Sequence, residues 1–174
     1  MSLPPSTEDF PAEDPGISII ELTEDDAPEI AELLALVWPQ ANHIPGTWRD
    51  KRVLDPDQII AEMRSGFHYF GARLDGRLAG FYKTILKLEG VFGEHQTVHP
   101  DYRHRGLVRA MYRQFIGYAQ ELNAPANLCN ILYDHTTMRQ LVESFGFRPK
   151  GPPYEQAPGM LVQLYQRPTK TAQD

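Results

Sequence analysis

The residues best suited to chemistry lie between Val98 and Met111, which read Val-His-Pro-Asp-Tyr-Arg-His-Arg-Gly-Leu-Val-Arg-Ala-Met. A β-branched strand end runs through a proline into Arg103, His104 and Arg105, then Gly106. An apolar-periodic helix follows at once and carries Arg109 in its first turn. Basic side chains and a helix N-terminus therefore converge on one point. Free backbone N–H groups, the helix dipole and the arginines together suit a bound phosphate.

The elements that must hold this point are legible on both sides of it. Ile17 to Leu22 has strand character. Asp25 can cap a helix that tolerates Pro28 in its first turn, with Ile30, Leu33, Leu34 and Val37 as its stripe and Trp38-Pro39 as its stop. Ala41 to Pro56 reads as irregular, and a shorter helix is predicted over Asp57 to Arg64. Phe67 to Leu74 and Arg77 to Leu88 read as strands joined by the hairpin signal Asp75-Gly76, and Val91 to Val98 as a third strand. The long helix is predicted from about Arg105 to Leu122, with Leu107, Met111, Phe115, Tyr118 and Leu122 on one face. Leu128 to Tyr133 lacks alternation, which suggests a strand buried on both faces. A helix striped by Met138, Leu141, Val142 and Phe145 ends at Gly146; Gly151 to Gly159 reads as a loop and Met160 to Gln166 as the last strand. The order β-α-α-β-β-β-α-β-α-β-β implies an α/β fold, a mixed sheet with helices on its faces.

Bulk properties narrow the function. With 174 residues, 41% apolar and 23% charged, the chain suits one globular domain. We expect a flexible acidic, proline-rich arm at 1–16, the domain at 17–167 and a polar tail at 168–174. The net charge of −6 argues against nucleic-acid binding and makes the basic cluster a local exception, suited to a compact anion. No apolar run approaches the ~18 residues of a membrane span, so no membrane partner is expected. The single cysteine, Cys129, allows no internal disulfide, fits a reducing, cytoplasmic compartment and reads as a small core residue. The six histidines show no metal-ligand spacing, and no metal is expected. A homodimer is compatible with the chain.

The element order and the Val98–Met111 segment together resemble the GNAT (GCN5-related) N-acetyltransferase superfamily. The family's acyl-coenzyme A signature, Gln/Arg-x-x-Gly-x-Gly/Ala, is matched by Arg103-His104-Arg105-Gly106-Leu107-Val108. A second signature, Asn-x-x-Ala-x-x-Leu-Tyr-x-x-x-Gly-Phe, is matched in part by the stretch from His135 to Gly146-Phe147. The resemblance covers about Ile17 to Gln166. Three positions depart from the pattern: Val108 replaces a small residue, His135 replaces Asn, and Val142 replaces the Tyr that in many members protonates the departing thiolate.

The resemblance implies acetyl-CoA as acyl donor and transfer of an acetyl or short acyl group to a primary amine by direct attack. The amides from His104 to Arg109, with Gly106, Leu107 and Val108 between, would cradle the pyrophosphate, with Arg103 and Arg105 adding charge. The main chain near Thr97 and Val98 would pair with the pantetheine arm like an added strand. His135 is grouped with these cofactor-binding residues. Glu94 is the first choice of base, with His95 and His99 as alternatives on the other parity of the strand. A His base has the more convenient ordinary pKa, ~6.5 against ~4.3 for Glu, which would need burial or a relaying water. Tyr133 and Tyr154 are the available phenols for the acid, with Tyr133 preferred. Trp38, Trp48 and Tyr82 are candidates for the acceptor pocket. Arg49 or Arg52 would favour an acceptor bearing a carboxylate or phosphate. The acceptor is a small-molecule or peptide amine. The rival reading is a non-catalytic acyl-CoA-binding sensor, favoured by Val142; a DNA-binding use of Arg103 to Arg113 is opposed by the acidic net charge.

Overall fold

In chain order the elements are β1 (Ile20–Glu21), α1 (Ala27–Val37), α2 (Gly46–Arg52), α3 (Pro56–Arg64), β2 (His68–Leu74), β3 (Arg77–Lys87), β4 (Gly90–Val98), α4 (Leu107–Glu121), β5 (Ala126–Leu132), α5 (Thr136–Ser144), β6 (Arg148–Pro149), β7 (Tyr154–Ala157) and β8 (Met160–Pro168). They come from a computed structural model that describes residues 17–170. The expected N-terminal arm and residues 171–174 of the tail lie outside the described residues.

The strands form one sheet in the order β1-β2-β3-β4-β5-β8-β6, with β7 also on β8. Neighbours are antiparallel except β4 and β5, which run parallel. Asp75 and Gly76 both take positive φ, 52° and 74°, as the tight turn between β2 and β3 requires. The α1 stripe of Ile30, Leu33 and Leu34 joins Ile59 of α3 over Tyr69 and Phe81 on one sheet face. Met111, Phe115 and Ala119 of α4 pack with Val142 on the other. Asp55 starts α3 with a reciprocal cap, its Oδ1 accepting from the Gln58 N–H at 2.8 Å while Gln58 accepts from Asp55 N–H at 2.8 Å.

Four expectations are corrected. The first strand shrinks to Ile20–Glu21, both exposed. The segment read as irregular holds α2, a short helix with no buried residue and hence no apolar stripe to announce it. The loop over Gly151 to Gly159 contains β7, an edge strand with exposed Tyr154 and Glu155. The long helix starts at Leu107 rather than Arg105, because Gly106 stands in front of it in the left-handed conformation, φ 83°.

Candidate active site

Strands β4 and β5 pair at only two positions, Val91 with Asn127 and Phe92 with Leu128. Beyond Phe92 they separate, and the gap opens into a cavity of about 560 Å³. The cavity spans both faces of the sheet: Trp38 and Arg52 line it on the α1 side, Met111 and Tyr112 on the α4 side. Parallel strands that diverge leave main-chain groups without partners, which is where an extended ligand arm can add as a strand.

A bulge in β4 shapes the wall. Lys83 pairs with Glu94 and Phe81 with Thr97, so His95 and Gln96 both stand opposite Tyr82. His95 takes φ 59°, a left-handed conformation that costs a non-glycine residue about 1–2 kcal/mol. The Thr97 hydroxyl donates to the His95 carbonyl at 2.7 Å, and Trp38 Nε1 donates to that hydroxyl at 3.0 Å. The strict alternation expected of this strand therefore fails, and Glu94, His95 and Gln96 all line the cavity.

The two favoured bases differ in environment. The Glu94 side chain is 40% exposed and its Oε2 lies 3.9 Å from His95 Nε2. The His95 side chain is 11% exposed, and its imidazole pKa is pulled down to about 2 by burial first and then by the Arg52 and Lys83 charges. His95 is thus neutral at ordinary pH and a poor proton acceptor. His99 lies outside the cavity wall: its Nδ1 accepts from the Asp101 N–H at 3.1 Å and its ring meets Tyr102 edge-on. Behind Glu94, buried Lys83 donates to both Glu62 oxygens at 2.8 and 2.9 Å, and Tyr69 also donates to Glu62. Burial first, then the Glu62 carboxylate, holds the Tyr69 phenol above its ordinary pKa.

On the acceptor side, Arg52 lies against two indoles, 4.9 Å from the Trp38 ring centre and 5.1 Å from that of Trp48. Burial pulls its guanidinium pKa down to about 10, partly opposed by the Glu94 charge. The two arginines left open by the sequence separate here. Arg49 turns to the Pro39 carbonyl at 3.1 Å and to Asn42 Oδ1 at 3.0 Å, whereas Arg52 lines the cavity. Trp48 acts from behind Arg52 and does not itself line the cavity. Tyr82 lines it but spends its hydroxyl on Gln114.

At the far end of β4 the phosphate cradle is built as its residue types suggest. His104 and Gly106 both take positive φ, 62° and 83°. No side chain caps α4, and its first helical bond runs from the Ala110 N–H to the Gly106 carbonyl at 3.0 Å. The amides of Leu107, Val108 and Arg109 are consequently left for a ligand. Arg103, His104, Arg105 and Arg109 are exposed around them, with Arg105 resting 5.2 Å above the Tyr102 ring. Leu107 is buried and pins the turn, and Val108 packs toward the α4-side core. These features fit a diphosphate. Val98 is the strand residue that fits the arm of such a ligand: the His99 N–H donates to Ala79 O, so by alternation the Val98 main chain faces away from β3. The Thr97 carbonyl faces β3 instead, 3.0 Å from where a Gly80 Cβ would lie, which leaves Thr97 a structural hydroxyl rather than a main-chain partner.

The preferred phenol lies off the cavity wall. Tyr133 is 40% exposed, lies under the Arg139 guanidinium at 4.6 Å, and is absent from the cavity wall. The phenol that sequence reasoning missed is Tyr112, one residue past Met111 on the buried face of α4. It lines the cavity, and burial first and then Cys129 keep it protonated well above its ordinary range. Cys129 lines the same wall, and burial pushes its thiol up to about 12. His135 lines the cavity near by and caps α5, its Nδ1 accepting from the Met138 N–H at 3.4 Å. Val142 is fully buried in the core. Among the described residues no group of three or more His, Cys, Asp or Glu is placed to hold a metal ion, and no helix is long and apolar enough to cross a membrane.

Solved structures share this architecture. The ribosomal-protein-S18-alanine N-acetyltransferase of Escherichia coli superposes with a TM-score of 0.71 at 19% identity, covering 90% of this chain and 96% of that one. The yncA acetyltransferase of Salmonella typhimurium, solved with acetyl-CoA, gives 0.72 at 18% identity over 88% and 94%. The paia N-acetyltransferase of Thermoplasma acidophilum, in complex with coenzyme A, gives 0.69 at 13% over 86% and 98%. No curated protein matches the chain in sequence. The profile of the Acetyltransferase (GNAT) family matches residues 27–147, most of the chain, and with the split sheet and the open helix cradle in place the protein belongs to the GNAT family of acetyltransferases.

Proposed function

We propose that the protein transfers an acetyl or other short acyl group from acyl-coenzyme A to a primary amine by direct attack, without a covalent enzyme intermediate. The observation that carries this reading is the gap between β4 and β5, which opens into a cavity walled by Glu94 and Tyr112, while the strand that bounds the gap leads on to the open amides of α4. The thioester supplies an activated acyl carbon and a leaving thiolate, tolerable near neutral pH because an ordinary thiol pKa is ~8.5. The chain's residues do the rest. The α4 amides and Arg103, Arg105 and Arg109 hold the diphosphate, and the Val98 main chain aligns the arm. Glu94 takes the proton of the attacking amine, directly or through a water. The Val98 N–H stabilises charge developing on the acyl oxygen. Tyr112, kept protonated by burial, stands in for the missing Tyr at 142 as proton donor to the thiolate.

Incubation with acetyl-CoA and a panel of primary amines, followed by free thiol, tests this directly. Amine-dependent thiol release is expected. One observation favours a second reading: Val142 leaves the usual acid position without a phenol. Stabilisation by acetyl-CoA with no thiol release for any amine would make the protein an acyl-CoA-binding sensor instead.

A further inference from the structure

Arg52 is a half-buried cation at the end of α2 without a counter-ion in contact. Among the described residues no carboxylate oxygen lies within salt-bridge distance of it, and its Nε is buried with no hydrogen-bond partner. The two tryptophan rings lie against the guanidinium at the cavity wall but offer it no acceptor atom. Burying a charge and an N–H donor without partners is costly, and the cost is recovered only when a ligand supplies the anion. A planar guanidinium fork is also the geometry that recognises a carboxylate through two parallel bonds.

Resting on the acyl-transfer reading above, we propose that the acceptor is an α-amino acid with an apolar side chain, whose carboxylate is bound by Arg52 and whose amine is presented to Glu94. Charge balance selects this class. Arg52 offers one positive charge and Glu94 one negative on the wall of the same cavity, so one small molecule carrying both an anionic group and an amine can meet them together. A monoanionic carboxylate with an adjacent ammonium matches both; a phosphate dianion would leave excess negative charge beside Glu94. Ile44, Met160 and Val162 wall the same cavity and form one apolar cluster with Trp38 and Trp48, which suits an aliphatic or aromatic side chain. At about 560 Å³, shared with the reacting end of the donor, the space suits a single amino acid.

The test compares the standard apolar α-amino acids with their amides and with the matching decarboxylated amines, for instance phenylalanine with phenylalaninamide and phenethylamine. Thiol release is measured with the full chain and acetyl-CoA. Calorimetry in parallel reads binding of the free amino acid and of acetyl-CoA separately. At least one acid is expected to exceed its amide about 100-fold in kcat/KM, because an unfilled charged donor penalises the analogue. In Arg52→Gln that ratio falls below about 10, and Arg52→Lys, which keeps the charge but loses the fork, lies between. Circular dichroism melts report whether each variant is folded. Equal use of acid and amide, an unchanged ratio in folded Arg52→Gln, or acetyl-CoA binding with no amino acid bound or acetylated would overturn the inference alone. An amino acid that binds through Arg52 while acetyl-CoA does not bind would leave it standing and sink the acyl-transfer reading.

Discussion

Trp38 donates its indole N–H to the Thr97 hydroxyl, fastening the end of the first helix to the bulged strand 59 residues away in sequence. Because the Thr97 hydroxyl in turn donates to the His95 carbonyl, one short chain of hydrogen bonds fixes the bulge that turns Glu94 and His95 inward. Trp38→Phe keeps the ring against Arg52 and removes the donor. It should cost about 1 kcal/mol of stability, the usual net worth of such a bond, and lower turnover more than it lowers acetyl-CoA affinity. Denaturant melts and calorimetry read the two effects. A variant with unaltered kinetics would show that these bonds do not position the site.

Gly106→Glu should abolish acetyl-CoA binding. The φ of 83° disfavours any side chain, and a carboxylate beside the free α4 amides would occupy the anion position. Calorimetric affinity within a few-fold of the parent chain would refute the placement of the diphosphate.

Glu94→Gln should lower kcat by about 100-fold while acetyl-CoA affinity holds, since general base catalysis contributes about that much. Tyr112→Phe should also act on kcat, by about 10- to 100-fold, with the loss smaller for acyl donors whose thiol is more acidic. Single-turnover thiol release measures both. If neither variant slows the chemistry, proton transfers run through water alone.

Acid stability should carry the signature of His95. Its folded pKa is depressed to about 2 against an unfolded ~6.5, so the unfolded chain binds a proton that the folded chain does not. Stability from this group is complete above pH ~6.5 and declines as pH falls, by up to about 1.4 kcal/mol per unit. His95→Asn, a residue that tolerates the left-handed backbone, should flatten this limb between pH 6.5 and 4. Parallel urea melts of the two proteins across that range decide it; superimposable limbs would remove His95 as the cause.

What the sequence disclosed depended on whether a feature is local. The stripe of Ile30, Leu33 and Leu34, the Asp75-Gly76 turn and the basic turn before Leu107 are each set by neighbouring residues, and each was readable. The bulge at His95 is held by a tryptophan from another element and carries no glycine to mark it, so strict alternation was the natural and mistaken expectation. The separation of Arg49 from Arg52 depends on α2, a helix without an apolar stripe. Tyr112 was hidden for a related reason: a phenol amid core residues gives no sign of the cavity on its other side, whereas Tyr133, exposed at a strand end, stands off the cavity wall.

With just two rungs joining β4 to β5, the sheet is two half-sheets stitched at one end. A donor arm laid along Val98 would act as the missing thread. It would make the unliganded protein the looser one, with amide exchange along both facing strand edges slowing once the thread is drawn through.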